Sequence, residues 1–138
     1  GKIMGFFDGF KKFRKEKSRG GHGRKPDVVP TADMIQSDWR QIDVLLSQKG
    51  PSQLKQALLT AHKAFDNTLK DKFSGENIPE RLKEARDSIE PGLYDRVWKA
   101  HRMRNALVHE SGYEPPAHMV TSAVETLRDA MRALGVNV

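Results

Sequence analysis

Hydrophobic residues recur every three or four positions along most of the chain, a spacing that places them on one face of an α-helix. No segment alternates apolar and polar residues for long enough to predict a strand. The sequence therefore predicts an all-α fold, an up-down helical bundle of four to five helices in which short connections favour antiparallel neighbours. The predicted helices run from Thr31 or Asp33 to 48, and over 52–73, 79–89, 93–109 and 117–134.

Glycine and proline residues separate these helices. Gly50-Pro51 interrupts the pattern after the first helix, Ser74-Gly75 ends the second, and Pro91-Gly92 precedes the fourth. Gly135 is suited to the C′ position of the last helix, where a left-handed backbone is common. The tryptophans Trp39 and Trp98 lie on apolar stripes, so we expect both in the core, each with a partner for its indole N–H.

The first 30 residues differ in composition from the rest of the chain. They contain nine basic and three acidic residues, and so account for the whole formal charge of +6, whereas residues 31–138 are formally neutral. Their apolar residues follow a helical spacing with basic residues between them, which predicts a basic amphipathic arm. The residues that define it are Ile3, Phe6, Phe7, Phe10 and Phe13 on one side and Lys11, Lys12, Arg14 and Lys15 on the other.

Three interpretations of this arm are open. It can lie on an anionic membrane surface with its phenylalanines in the acyl boundary, dock on the following domain, or remain a solvated tail. Residues 18–30 contain three glycines and two prolines, a composition typical of a flexible linker. We therefore divide the chain into an arm and linker over 1–30 and a helical domain over 31–138.

The composition limits the remaining function classes. The absence of cysteine excludes disulfides and thiolate metal sites and suits a reducing compartment. His62 and His118 are not at ligand spacing with acidic residues, so we expect no metal and no cofactor. No apolar run approaches the roughly 18 residues of a membrane span. These observations favour a cytoplasmic protein, with membrane association through the arm as an option.

The segment from Arg102 to His109 contains the candidate chemistry. Because each helical residue advances about 100°, Arg102, Asn105 and His109 fall nearly on one line, whereas Arg104 lies about 140° around from His109. If the helix keeps its pitch to His109, Arg102 is the better partner of the imidazole. If the helix tightens or frays near residue 110, Arg104 can turn toward it.

These residue types suit phosphate chemistry. Arginine presents a charged fork that matches phosphate oxygens, and histidine both accepts and donates protons near neutral pH. With Asn105 as a positioning group, they would suit metal-independent cleavage of RNA through its 2′-hydroxyl. Alternatively, Asn105 and His109 serve only structure, since a cation at a helix C-terminus is favourable. The spacing of His62, Lys63 and Asp66 is compatible with a polar patch or with a site that lines the same cleft, and we expect a solvated face.

The run Arg104-Asn105-Ala106-Leu107-Val108-His109 resembles the motif of the HEPN superfamily, in which an arginine, usually followed by a polar residue, precedes a histidine by four to six residues near a helix end. Together with Trp98-Lys99-Ala100-His101 and the helices from Trp39 onward, the resemblance to small HEPN-like bacterial proteins covers about residues 33–136. Some members have tyrosine two residues after the histidine. This chain has Ser111 there and Tyr113 two residues further on.

The resemblance implies an all-α bundle that binds RNA or a nucleotide. Many HEPN proteins are metal-independent ribonucleases that act as homodimers, with two motifs facing one cleft. Carried over to this chain, Arg104 would bind phosphate, His109 would transfer protons and Asn105 would be the positioning polar group. Arg102 and His101 have no assigned role in the family. They can extend the nucleic-acid-binding rim or pack. The alternative is a non-catalytic interaction module that its basic Phe-rich arm tethers to a membrane or a partner.

Overall fold

The computed structural model describes residues 31–138, and in that range the chain folds into five α-helices. They are α1 (Ala32–Gln48), α2 (Pro51–Lys72), α3 (Ile78–Ala85), α4 (Pro91–His109) and α5 (Ala117–Ala133). Helices account for 80% of the described residues, and none of these residues lies in a strand. The prediction of an all-α, bundle-like fold of four to five helices is confirmed. The predicted arm and linker lie outside the described residues.

Polar side chains cap the first turns of three helices. Thr31 Oγ1 accepts a hydrogen bond from the N–H of Met34 at the start of α1, and Asn77 Oδ1 accepts one from Glu80 at the start of α3. The carboxylate of Glu90 accepts from the N–H groups of Gly92 and Leu93 at the start of α4. Each cap satisfies amides that the helix itself leaves without a partner.

The third helix is shorter than its pattern predicts. It ends at Ala85 and continues as a 3-10 turn over Arg86–Ser88. Because Pro91 disfavours the helical conformation at the residue before it, Glu90 adopts φ −58° and ψ 140° and separates this turn from α4. At the other end of the domain, Gly135 follows α5 with φ +89°, the left-handed conformation predicted for it.

Helix α2 is the central element, since it contacts each of the other four helices. Its fully buried side chains include Leu58, Phe65 and Leu69, which lie on the stripe that predicts the helix. The short α3 and the long α4 pack on α2, and α5 packs on both α2 and α4. This arrangement places the C-terminal end of α4 close to the N-terminal end of α2. None of the described helices is long and apolar enough to cross a membrane.

Trp39 is buried, as predicted, but its surroundings differ from the prediction. Its indole Nε1 has no hydrogen-bond partner among the described residues. Instead, the guanidinium carbon of Arg128 lies 4.6 Å from the centre of the indole ring, and Arg128 also pairs with Asp43. The ring face, rather than its N–H, therefore makes the polar contact, as a cation–π interaction. Trp98 is half-buried and packs against the core.

Candidate functional site

The C-terminal half of α4 carries the predicted catalytic residues, and the helix keeps its α-helical form through His109. The N–H of Glu110 still donates to the carbonyl of Ala106, at 2.8 Å. Of the two alternatives, the structure therefore has the regular helix, in which Arg102 is in line with His109 and Arg104 lies about 140° around from it. Arg102 is exposed, as is His109.

His109 lies at the edge of an open cleft of about 640 Å³. The cleft is formed by the end of α4, the loop that follows it, and the connection between α1 and α2. Two exposed lysines, Lys49 and Lys55, line it from α2 and the turn before it, and Tyr113 lines it from the loop. Glu110 and Glu114 also lie on the loop side, so a bound anion is expected against α2.

The first turn of α2 adds to the positive character of this cleft. Gly50 is its N-cap and supplies no side chain to the free amides, and Pro51 occupies the first turn. The first N–H that donates within the helix is that of Leu54, which bonds to Gly50 O at 2.8 Å. The amide of Ser52 has no partner within the helix, and the helix dipole places partial positive charge at this end.

The second polar feature of α4 is a hydrogen-bonded cluster that joins it to α2. Arg104 Nη1 donates to Asn105 Oδ1 at 3.0 Å, and Asn105 Nδ2 lies 3.4 Å from His101 Nε2. His101 Nδ1 in turn lies 2.9 Å from His62 Nε2 on α2. The planes of the two imidazole rings are 15° apart and their centroids are 5.2 Å apart, which fits rings joined edge to edge by this hydrogen bond. The indole of Trp98 meets the His101 ring at 6.0 Å, nearly perpendicular to it.

Both histidines of this cluster are buried. Only 3% of His62 and 9% of His101 remains exposed to solvent. The pKa of His62 is lowered from 6.5 to about 3, first by burial, then by the nearby charge of Arg104 and by the second imidazole. The pKa of His101 is also lowered, first by burial and then by Arg104 and Arg102, while Asp66 opposes the shift. Both rings are therefore neutral at pH 7.

A second open cleft of about 540 Å³ lies beside α3 and exposes the other side of His101 and Asn105. Asp66 lies in this cleft between two cations, 3.3 Å from Arg81 Nη1 and 3.5 Å from Lys70 Nζ. These ion pairs partly neutralise the cleft. The His109 cleft and the His101 cleft share no lining residue, and a single subunit presents them separately.

The structure brings together some of the predicted residues and separates others. Arg104, Asn105 and His101 share one cluster, whereas His109 faces the other cleft. His101, predicted to contact nucleic acid, is buried with both ring nitrogens engaged within the protein. The expectation of a solvated face holds for the exposed Lys63 but is wrong for His62, which is buried.

Sequence reasoning placed His62 wrongly on a solvated face and missed Lys49 and Lys55. The signal for His62 was present, since it lies four residues after Leu58 and three before Phe65 and so belongs to the apolar stripe of α2. No comparable pattern marks the two lysines, because only the packing of α4 against α2 brings them beside His109. No group of three or more histidine, aspartate or glutamate residues in the range 31–138 is placed to hold a metal ion.

Fold and site together define an all-α, bundle-like domain with an exposed histidine in an open cleft that two lysines and two glutamates line. Comparison of the chain with protein-family models, with curated proteins and with solved structures found no match. The relationship to the HEPN superfamily, inferred from the motif over 104–109, therefore stays a prediction.

Proposed function

We propose that the chain binds RNA, or a nucleotide, at the end of α4 and cleaves RNA without a metal ion as a homodimer. The observation that carries this proposal is the exposed imidazole of His109 in a cleft with Lys49 and Lys55. The two ammonium groups and the free amides of α2 attract a phosphate, and the imidazole is free to exchange a proton with its ligand.

The roles follow from the chemistry of each side chain. His109 transfers the proton of the 2′-hydroxyl or of the leaving oxygen, Arg104 binds the charged phosphate, and Asn105 holds Arg104 through its amide oxygen. Tyr113 offers a ring on which an unpaired base can stack, which favours a single-stranded substrate. A reaction through the 2′-hydroxyl requires RNA rather than DNA.

The homodimer is part of the proposal because of the geometry of α4. Arg102 is in line with His109 on this regular helix, but the arginine of the motif, Arg104, lies on a different side. A single subunit therefore does not direct Arg104 and His109 at the same phosphate. Two copies related by a two-fold axis would place Arg104 of one copy beside His109 of the other. The active site would then be composite, with one of its charged groups from each subunit.

Cleavage is tested on an unstructured RNA oligonucleotide in EDTA, with DNA of the same sequence as the substrate control. We expect cleavage of the RNA alone, and loss of cleavage in His109→Ala and in Arg104→Ala with unchanged helical circular dichroism. His118→Ala is the matched control, since His118 is also exposed but lies outside the cleft residues. Equal activity of the His109 and His118 variants would overturn the catalytic part of the proposal.

Binding is tested separately with the non-cleavable DNA oligonucleotide and with RNA carrying 2′-methoxy groups, over a range of salt concentrations. Lys49→Ala and Lys55→Ala are each expected to weaken binding and to reduce the slope of log affinity against log salt by about 1. Lys63→Ala is the control, because Lys63 is exposed and lies on α2, as Lys55 does, but outside the cleft. Equal effects of all three variants would mean that the cleft is not the binding site.

The composite site is tested by mixing the two inactive variants. If each site takes its arginine from one subunit and its histidine from the other, a mixed dimer of Arg104→Ala and His109→Ala contains one intact site. In an equal mixture at equilibrium, half of the dimers contain one subunit of each variant, and each mixed dimer has one intact site out of two. We therefore expect about a quarter of the original activity. No recovery after exchange of subunits would contradict a composite site.

A further inference from the structure

Four side chains form a continuous hydrogen-bonded chain from the surface of α4 into the core of α2: Arg104, Asn105, His101 and His62. The roles proposed above use Arg104 and Asn105 but leave the two buried histidines without a task. Because arginine only donates and each other group has a defined donor and acceptor inventory, the direction of every bond can be worked out.

The direction of the chain starts at Arg104. Its guanidinium has only N–H donors, so the atom of Asn105 that faces it, 3.0 Å from Nη1, must be the amide oxygen. The NH₂ group of Asn105 therefore faces His101. An amide nitrogen donates and does not accept, so His101 Nε2, 3.4 Å away, must be the unprotonated nitrogen of its ring.

The same argument assigns both imidazole tautomers. A neutral His101 with an unprotonated Nε2 carries its proton on Nδ1, which lies 2.9 Å from His62 Nε2. His101 Nδ1–H therefore donates to His62, whose Nε2 accepts and whose own proton is on Nδ1. All three bonds run in one direction, from Arg104 to His62, and both rings are neutral.

Because all three hydrogen bonds run in one direction, loss of the acceptor on residue 62 disturbs each of them. If residue 62 offers no acceptor, the buried Nδ1–H of His101 loses its partner. Moving this proton to Nε2 leaves an unprotonated ring nitrogen beside residue 62 instead of an orphaned N–H group, which protein interiors rarely contain. That proton then faces the NH₂ group of Asn105, so the amide must turn over. The turned amide presents NH₂ to Arg104, and the guanidinium loses the acceptor that holds it.

We propose that His62 and His101 are positioning residues, which fix the amide of Asn105 and through it the orientation of the Arg104 guanidinium. The inference deepens the proposed function and rests on it for its catalytic consequence. The tautomer of His101 and the hydrogen bond of Arg104 are properties of the free protein, however, and are measured without RNA.

The experiment compares His62→Leu, which removes the acceptor, with His62→Gln, whose amide oxygen replaces it. In the ¹⁵N-labelled full-length protein at pH 7, we expect the ring nitrogens of His101 to show the Nδ1–H tautomer in the original protein and in His62→Gln. In His62→Leu we expect the Nε2–H tautomer, together with a change in the Arg104 side-chain ¹⁵N resonances. The same tautomer of His101 in all three proteins would overturn the proposal.

Two further measurements keep the result independent of folding and of the proposed activity. Circular dichroism and the resonances of the remote His118 ring report whether His62→Leu is folded. Should that variant not fold, Asn105→Asp replaces it, since a carboxylate has no NH₂ to donate and requires the Nε2–H tautomer of His101. An Nδ1–H tautomer in Asn105→Asp would then overturn the assignment.

RNA cleavage provides the functional outcome. We expect His62→Leu to reduce kcat at least tenfold and His62→Gln to restore most of it. Retained kcat in a His62→Leu protein with a reversed tautomer would overturn the positioning role. If the original protein cleaves no RNA, the nuclease proposal fails, while the tautomers and the Arg104 resonances still decide whether the histidines orient the arginine.

Discussion

The buried, neutral His62 makes acid sensitivity of folding a direct prediction. In the folded protein its pKa is lowered from 6.5 to about 3, chiefly by burial, whereas in the unfolded chain it keeps the ordinary value. As the pH falls below about 6.5, the unfolded chain binds a proton that the folded protein does not, so unfolding becomes more favourable. This contribution to stability is complete above pH 6.5 and is lost progressively toward pH 3.

The size of the effect follows from the two pKa values. Between pH 7 and pH 5 the unfolded state gains about 2 kcal/mol from protonation of residue 62, because each pH unit below its pKa is worth about 1.4 kcal/mol. For a domain of this size, that corresponds to a fall of roughly 9 °C in Tm. His101, whose pKa is also lowered, adds an effect of the same sign.

The assay is urea unfolding, followed by circular dichroism at pH 7, 6 and 5, of the original protein and of His62→Gln. The glutamine keeps a hydrogen-bond acceptor for His101 and removes the titrating group. We expect the free energy of unfolding of the original protein to fall by about 2 kcal/mol more than that of the variant over this range. Parallel pH profiles for the two proteins would show that His62 is not held neutral and would refute the reasoning.

Three other predictions concern the rest of the chain. Phe65→Ala should lower the free energy of unfolding in urea by about 3–5 kcal/mol, because it leaves a cavity in the core. Val44→Ala, at an exposed position, should change it by less than about 0.5 kcal/mol. Similar losses in the two variants would mean that Phe65 is not a core residue. Asn77→Ala should lower the free energy of unfolding by about 1 kcal/mol because it removes the cap of α3, and Asn77→Asp should restore this stability. An alanine variant as stable as the original protein would contradict this role of Asn77. Deletion of residues 1–17 should release the protein from anionic vesicles in a flotation assay, whereas undiminished binding to these vesicles would exclude the arm as the tether.

The local chemistry of the sequence was sufficient to predict the helices. Their spacing of apolar residues, and caps such as Thr31 and Asn77, act within a few residues of the chain, so they can be identified without the fold. The α3 pattern was the exception, since Pro91 acts on the residue before it and the helix ends in a 3-10 turn at Arg86–Ser88. The regular pitch of α4 was one of two outcomes that the sequence left open.

The sequence by itself determined which residues can carry the chemistry, namely Arg104, Asn105 and His109, because residue type and helical spacing are local properties. Only the tertiary structure decided that His62 pairs with His101, 39 positions away, and that Lys49 lies in the cleft of His109. Such pairs depend on how α2 and α4 cross, and the crossing is set by the packing of many side chains along both helices. The histidines are neutral for the same reason, since burial is a property of the assembled core.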